Sequence, residues 1–217
     1  MEYSVGLSTA DRNLGIVAKN RTNSKMAVDR FAKAIRDLDS LPAPQRGDAM
    51  VQDALYNAHR LRAEELTTKL GRHVDALEDW NEALKYAPSK NQLATELFRA
   101  QTLARAGEHA QAVEAAGAIA TKAGHFKGAN AAQAFYQRAC IYALASGAAS
   151  GDVKMTPDQR TTKRDEYAEQ AMKLLENARS AGFFKTPNNV QRLDSTDLDA
   201  IRERPEFRKL KEEVGSK

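Results

Sequence analysis

The chain has 217 residues and a mass of 23.9 kDa, enough for one large domain or two small ones with a buried core. Apolar residues at 42% and charged residues at 29% exclude wholesale disorder and fibrous repeats, and 33 basic against 29 acidic residues leave only +4 with no Lys/Arg block, so nucleic acid is not the expected partner. A single cysteine, Cys140, cannot form an internal disulfide, no Cys/His set has zinc spacing, and no apolar run is long enough for a membrane span or an export leader. A cytoplasmic protein without metal, cofactor or membrane insertion is therefore expected.

Alanine dominates, and the 12 glycines and 6 prolines fall between apolar-periodic segments rather than within them, as in close-packed helices. No period-two run of Val, Ile, Thr and aromatic residues exceeds four residues, so the expected fold class is all-α.

In chain order, the spacing predicts a helix over 4–20 with a stripe of Leu7, Ala10, Leu14, Val17 and Ala18, followed by a turn and N-cap at Arg21-Thr22-Asn23-Ser24. A second helix carries Ala27, Val28, Phe31, Ala34, Ile35 and Leu38 and ends at Leu41-Pro42-Ala43-Pro44, giving a pair over 4–41. The next pair, 48–87, joins a helix with Ala54, Leu55, Ala58, Leu61, Leu66 and Leu70 inward to one with Ala76, Leu77, Trp80, Ala83 and Leu84 inward, across Gly71. A third pair over 90–124 turns at Gly107 and stops at Gly124. A fourth over 129–182 contains a small, polar, mobile loop at 147–156, then a helix opened by Thr156-Pro157 and stopped at Gly182. Residues 1–182 are thus expected to form one helical repeat domain, and 183–217 a capping segment of short helices with Leu198, Ile201, Phe207 and Leu210 on its apolar side.

The second helices share a register: Ala27, Phe31 and Ala34; Ala76, Trp80 and Ala83; Ala112, Ala116 and Ile119; Ala171, Leu175 and Ala178. Small residues at the ends of each triplet let helices approach closely, and the middle residue fills the space against a neighbour. The intervals of 49, 36 and 59 residues are uneven, and only the middle one is near the roughly 34 residues of a tetratricopeptide repeat.

Leu70-Gly71-Arg72-His73 followed by Ala76, Trp80, Ala83 and Pro88 resembles the second half of a tetratricopeptide (TPR) repeat, and Leu14-Gly15 matches that family's Leu-Gly pair. The consensus Trp position of the first helix is Asp11 in one repeat and Arg60 in the next, which departs from the pattern. Further runs resemble the C-terminal TPR regions of planctomycete-type bacterial serine/threonine kinases: Tyr56-Asn57-Ala58-His59, Ala104-Arg105-Ala106-Gly107, the segment 139–146, Gly182-Phe183, and the Asp197, Leu198, Asp199, Arg202, Pro205, Phe207, Leu210 spacing. The resemblance implies a TPR-like α-solenoid of about four antiparallel helix pairs, part or relative of a modular signalling protein. The chain holds none of the kinase strings, neither a Gly-rich phosphate loop nor a catalytic-loop or Asp-Phe-Gly aspartate, so it is not expected to be an enzyme.

The family register further implies which first-helix residues line a concave groove: Thr9, Arg12, Asn13, Ile16 and Asn20; Leu61, Arg62, Glu65 and Lys69; Leu97, Gln101 and Arg105; Gln133, Tyr136 and Gln137. Arg12, Arg62, Lys69 and Arg105 would contact an acidic or carboxylate-bearing peptide, with Ile16, Leu61, Leu97 and Tyr136 as apolar pockets. His59, His73, His109 and His125 have no metal-ligand spacing, and Cys140 and Trp80 read as core residues. Glu64-Glu65 and Asp165-Glu166 are adjacent pairs, expected to point to different helix faces. The expected function is a non-catalytic protein-interaction module, with a spacer or self-association element as the alternative.

Overall fold

In the computed structural model the described residues are 2–123 and 128–215; the expected stop at Gly124 and the residue His125 lie outside them. All regular structure among the described residues is helical. In order it is α1 (Glu2–Asn20), α2 (Ser24–Asp39), α3 (Ala43–Arg46), α4 (Ala49–Thr68), α5 (His73–Tyr86), α6 (Ser89–Arg105), α7 (His109–Ala123), α8 (Gly128–Ser150), α9 (Pro157–Ser180), α10 (Pro187–Gln191) and α11 (Pro205–Gly215). Three 3₁₀ turns, Phe183–Lys185, Arg192–Asp194 and Thr196–Ile201, flank α10.

Local chemistry sets the boundaries. The Asn23 and Asp48 side chains accept hydrogen bonds from the amides of Met26 (3.1 Å) and Met50 (2.8 Å), capping α2 and α4. At α9, Thr156 and Gln159 form a reciprocal capping box, and Pro157 occupies the first turn, where its missing N–H costs nothing. Gly71 and Gly107 close the α4–α5 and α6–α7 turns with φ of 64° and 88°.

The chain divides into two compact units, residues 1–102 and 103–217, with the boundary inside α6. In the first, α1 packs on α2, α2 on α4, and α4 on α5. The largest buried side chains there are Trp80, Phe31, Leu38 and Leu55. Trp80 stacks on Phe98 with ring centroids 5.6 Å apart and interplanar angle 9°.

The apolar stripe expected on α1 is not its inward face. Leu14 and Val17 remain 48% and 46% exposed and Ala10 is exposed, while Ser8, Asp11, Gly15 and Ala18 are buried; the Leu7 side chain lies outside those described. The reason is the partner helix. A β-carbon at Gly15 would lie 2.5 Å from Cε1 of the fully buried Phe31, so only glycine lets α2 come this close. Gly15→Ala is expected to cost about 1–3 kcal/mol through overpacking against Phe31. Urea denaturation followed by Trp80 fluorescence checks it, and an unchanged midpoint would remove the close approach as the cause.

In the second unit, α7 packs on α8, α8 on α9, and the Thr196–Ile201 turn on α8. One cluster joins Tyr136, Ala139, Cys140 and Ala143 of α8 and Leu174 and Leu175 of α9 with Phe183, Leu193, Leu198, Ile201, Phe207 and Leu210. The C-terminal segment from Phe183 onward thus packs directly on α8 and α9. Its apolar residues are part of the core that folds α8 and α9. Nor does α8 stop at 146: it continues to Ser150, with Ala149 buried, and this shortens the expected loop to 151–156. That shorter loop is tied down. Arg160 Nη1 donates to the Met155 carbonyl at 3.0 Å, and the Asp152 carboxylate meets His109 Nε2 at 3.1 Å.

Candidate partner-binding site

In the first unit the positions assigned to a groove fall on α1, α4 and α6, and they differ sharply in what they have left to offer. On α1, Asn13 and Asn20 are exposed and Thr9, Arg12 and Ile16 are half-buried. Arg12 has no carboxylate within 4.0 Å among the described residues, and its Nε is buried without a hydrogen-bond acceptor. Ile16 packs against the cluster that contains Leu61, so the fold brings these two together. Lys69 is exposed at the C-cap of α4.

Leu61 at 9% exposure and Glu65 at 1% are buried and present no open pocket wall. Lys19, one position away from the assigned Asn20, donates to Glu64 Oε2 at 3.1 Å and lies 3.5 Å from Glu65 Oε1. Glu64 and Glu65 thus converge on one ammonium instead of diverging, because α1 inserts Lys19 between them. Arg60 also bonds Glu64.

Arg62 is taken up inside the unit. Its Nε and Nη2 donate to the two carboxylate oxygens of Asp79 on α5, at 2.7 and 2.6 Å, and Asp79 Oδ1 lies 2.8 Å from His59 Nδ1. Asp79 is 1% exposed and His59 6%, with the His59 ring 6.5 Å from that of Tyr86. This bidentate pair closes α4 onto α5 and commits the Nε–Nη2 edge of the guanidinium to an internal carboxylate. Asp11, at the position where the TPR pattern has Trp, is similarly occupied: Arg30 donates to it at 2.9 Å and Lys33 bonds it too. Burial alone would raise the Asp11 carboxyl, but the hydrogen bonds from Lys33 and Arg30 outweigh it and hold the group below the ordinary carboxylate value.

On α6, Leu97 and Gln101 are 3% and 8% exposed. Hydroxyl pairs Tyr56–Thr95 at 3.4 Å and Thr67–Thr102 at 3.3 Å join α4 to α6 there.

In the second unit the assigned positions meet the C-terminal segment. Arg105 pairs with Asp197. The Tyr136 hydroxyl donates to the Arg192 carbonyl at 2.7 Å, its ring stacks on Phe183 at 4.6 Å, and the Arg192 guanidinium lies over it at 5.4 Å. Arg192 Nη1 donates to Gln133 Oε1 at 3.1 Å. Tyr136 is therefore a buried seat for the chain's own cap, not an apolar pocket for a partner, and Arg105 faces an internal carboxylate. Burial first, then the neighbouring Cys140, pushes the Tyr136 hydroxyl well above the usual phenol range. Gln137 stays half-buried on α8.

Cys140 is 1% exposed, and burial pushes its thiol up to about 12, so it stays protonated and unreactive. Among the described residues no group of three or more His, Cys, Asp or Glu side chains could hold a metal ion, and no helix is long and apolar enough to cross a membrane. Sequence reasoning missed Lys19, Asp79, the pairing of Asp197 with Arg105, and Arg138, whose Nε donates from α8 to the Ala116 carbonyl of α7 at 3.1 Å. Only the His59–Arg62 spacing on α4 was a local signal; each partner comes from another helix.

No family model matches the chain, and no curated protein matches it. Solved structures do match along nearly the whole length. MamA 41-end from Desulfovibrio magneticus RS-1 is 17% identical, with a TM-score of 0.55 over 97% of this chain and 96% of that one. The fold is TPR-like. A second structure, the MamA RS-1 ArsTM double mutant, is 15% identical with a TM-score of 0.54 over 97% of both chains. At this identity the likeness is one of fold, the all-α helical repeat expected from the sequence.

Proposed function

We infer that the protein is a non-catalytic interaction module that holds an acidic peptide or protein segment on the α1–α4 face of its first unit. The observation that supports this most directly is the division among its cations. Arg62 and Arg105 are paired internally, whereas Arg12 on α1 and Lys69 at the end of α4 have no carboxylate within 4.0 Å among the described residues. A cytoplasmic setting rests on the lack of a membrane-length apolar run or export leader in the sequence, and a role as the partner-recruiting region of a bacterial serine/threonine kinase or a stand-alone relative rests on the runs around Tyr56, Ala139 and Asp197.

The test is affinity capture from the source lysate at two salt concentrations, with Arg12→Glu/Lys69→Glu beside the native chain. The native protein is expected to retain a partner at low salt and release it at high salt. The double variant, with unchanged helicity and melting temperature, is expected to retain none. Equal capture by both proteins would overturn this site.

A further inference from the structure

The C-terminal cap of the second unit borders an open recess of about 1000 Å³ that no part of the α1–α4 reading uses. Phe184 and Val214, each 8% exposed, and half-buried Val190 turn their remaining surface to it. Two acid–base side chains on its wall neutralise each other: Arg179 pairs with Glu213 and reaches Glu176 at 2.7 Å. Lys185 is different. Its ammonium has no carboxylate within 4.0 Å among the described residues, so it is the uncompensated charge of the lining.

The backbone fixes where that charge sits. Gly182 has φ of 83°, and a β-carbon there would lie 2.9 Å from Lys185 Cε and 3.3 Å from Nζ. The lysine stem is thus folded back across the bare glycine, placing the solvent-exposed ammonium at the rim of the recess. An apolar recess of this size with one placed cation has the features of a small-molecule site: burial supplies affinity and the single charge supplies orientation. One ammonium matches one negative charge. A dianion such as a phosphate monoester would leave a charge facing Glu213.

We propose that this recess binds a monocarboxylate with an apolar body, the body against Phe184, Val190 and Val214 and the carboxylate on Lys185 Nζ. The probe is octanoate, titrated into the full chain and followed by amide chemical shifts, with octanol as the neutral control of equal length. Octanoate is expected to shift Lys185, Val190 and Gly215. Lys185→Gln, which keeps the stem over Gly182, is expected to weaken octanoate roughly tenfold while leaving octanol unchanged. Lys185→Glu should reverse the preference towards octylammonium. The proposal is overturned if octanoate and octanol bind the native chain equally, if Lys185→Gln binds octanoate as well as the native chain, or if millimolar octanoate moves no amide of the recess.

Discussion

Leu198→Ala combined with Phe207→Ala is expected to unfold the second unit at temperatures where the first remains folded. Leu198 and Phe207 are 0% and 1% exposed and belong to the cluster that holds Tyr136, Cys140 and Leu175. Each truncation to alanine removes the transfer energy of the side chain and leaves a cavity, about 3 kcal/mol per site. Two such losses approach the whole stability of a domain of this size, roughly 5–15 kcal/mol. If 183–217 were an accessory cap, the same substitutions would cost little helicity, because α8 and α9 would keep a core without it. The two outcomes separate cleanly, since the chain's single tryptophan, Trp80, lies in the first unit. Far-UV circular dichroism should show an early loss of helix that Trp80 fluorescence does not follow. A single unshifted transition in both signals would return 183–217 to the status of a separate segment.

That outcome bears on how the groove is read. Arg105, Gln133 and Tyr136 sit where the register places ligand contacts, yet Asp197 and Arg192 already meet them. Because the segment carrying Asp197 and Arg192 also supplies Leu193, Leu198 and Ile201 to the core, it is not free to leave for a partner. Among the cations assigned to the groove, Arg12 and Lys69, on α1 and at the end of α4, are the ones without a carboxylate within 4.0 Å among the described residues.

The repeat was legible because it is local. Ala27, Phe31 and Ala34, and again Ala76, Trp80 and Ala83, stand at helical spacing, and both triplets are buried as that spacing requires. What was not legible depends on residues far apart in sequence. Periodicity on α1 favoured Leu14 and Val17, but Phe31 needs the space above Gly15, and Arg30 and Lys33 make Asp11 tolerable indoors, so the helix turns its polar-looking face inward. Glu64 and Glu65 look divergent on a bare helix and converge only when Lys19 arrives from α1. In the cap, Leu198, Ile201, Phe207 and Leu210 were legible as its apolar side, but Leu193 was not, since it sits in the 3₁₀ turn Arg192–Asp194, which has no helical period.

Arg62→Ala is expected to destabilise the first unit by about 3 kcal/mol, although Arg62 has the surface position of a ligand-binding residue. The substitution leaves Asp79 inside the protein, 1% exposed, with only His59 at 2.8 Å to offset its charge. An exposed ion pair would be worth well under about 1 kcal/mol, so the size of the effect distinguishes the two descriptions. Arg62→Met combined with Asp79→Leu removes both charges and is expected to recover most of the loss, because packed apolar residues do as well as a buried pair. Trp80 adjoins Asp79 in sequence and is itself buried, so urea denaturation monitored by its fluorescence reads the site directly. A loss below about 0.5 kcal/mol for Arg62→Ala would place the guanidinium outside the network and restore it as a candidate partner contact. The expected result carries a warning for binding experiments. Reversing Arg62 to Glu would set two carboxylates against each other inside the α4–α5 interface, and any partner lost in that variant would be lost through unfolding.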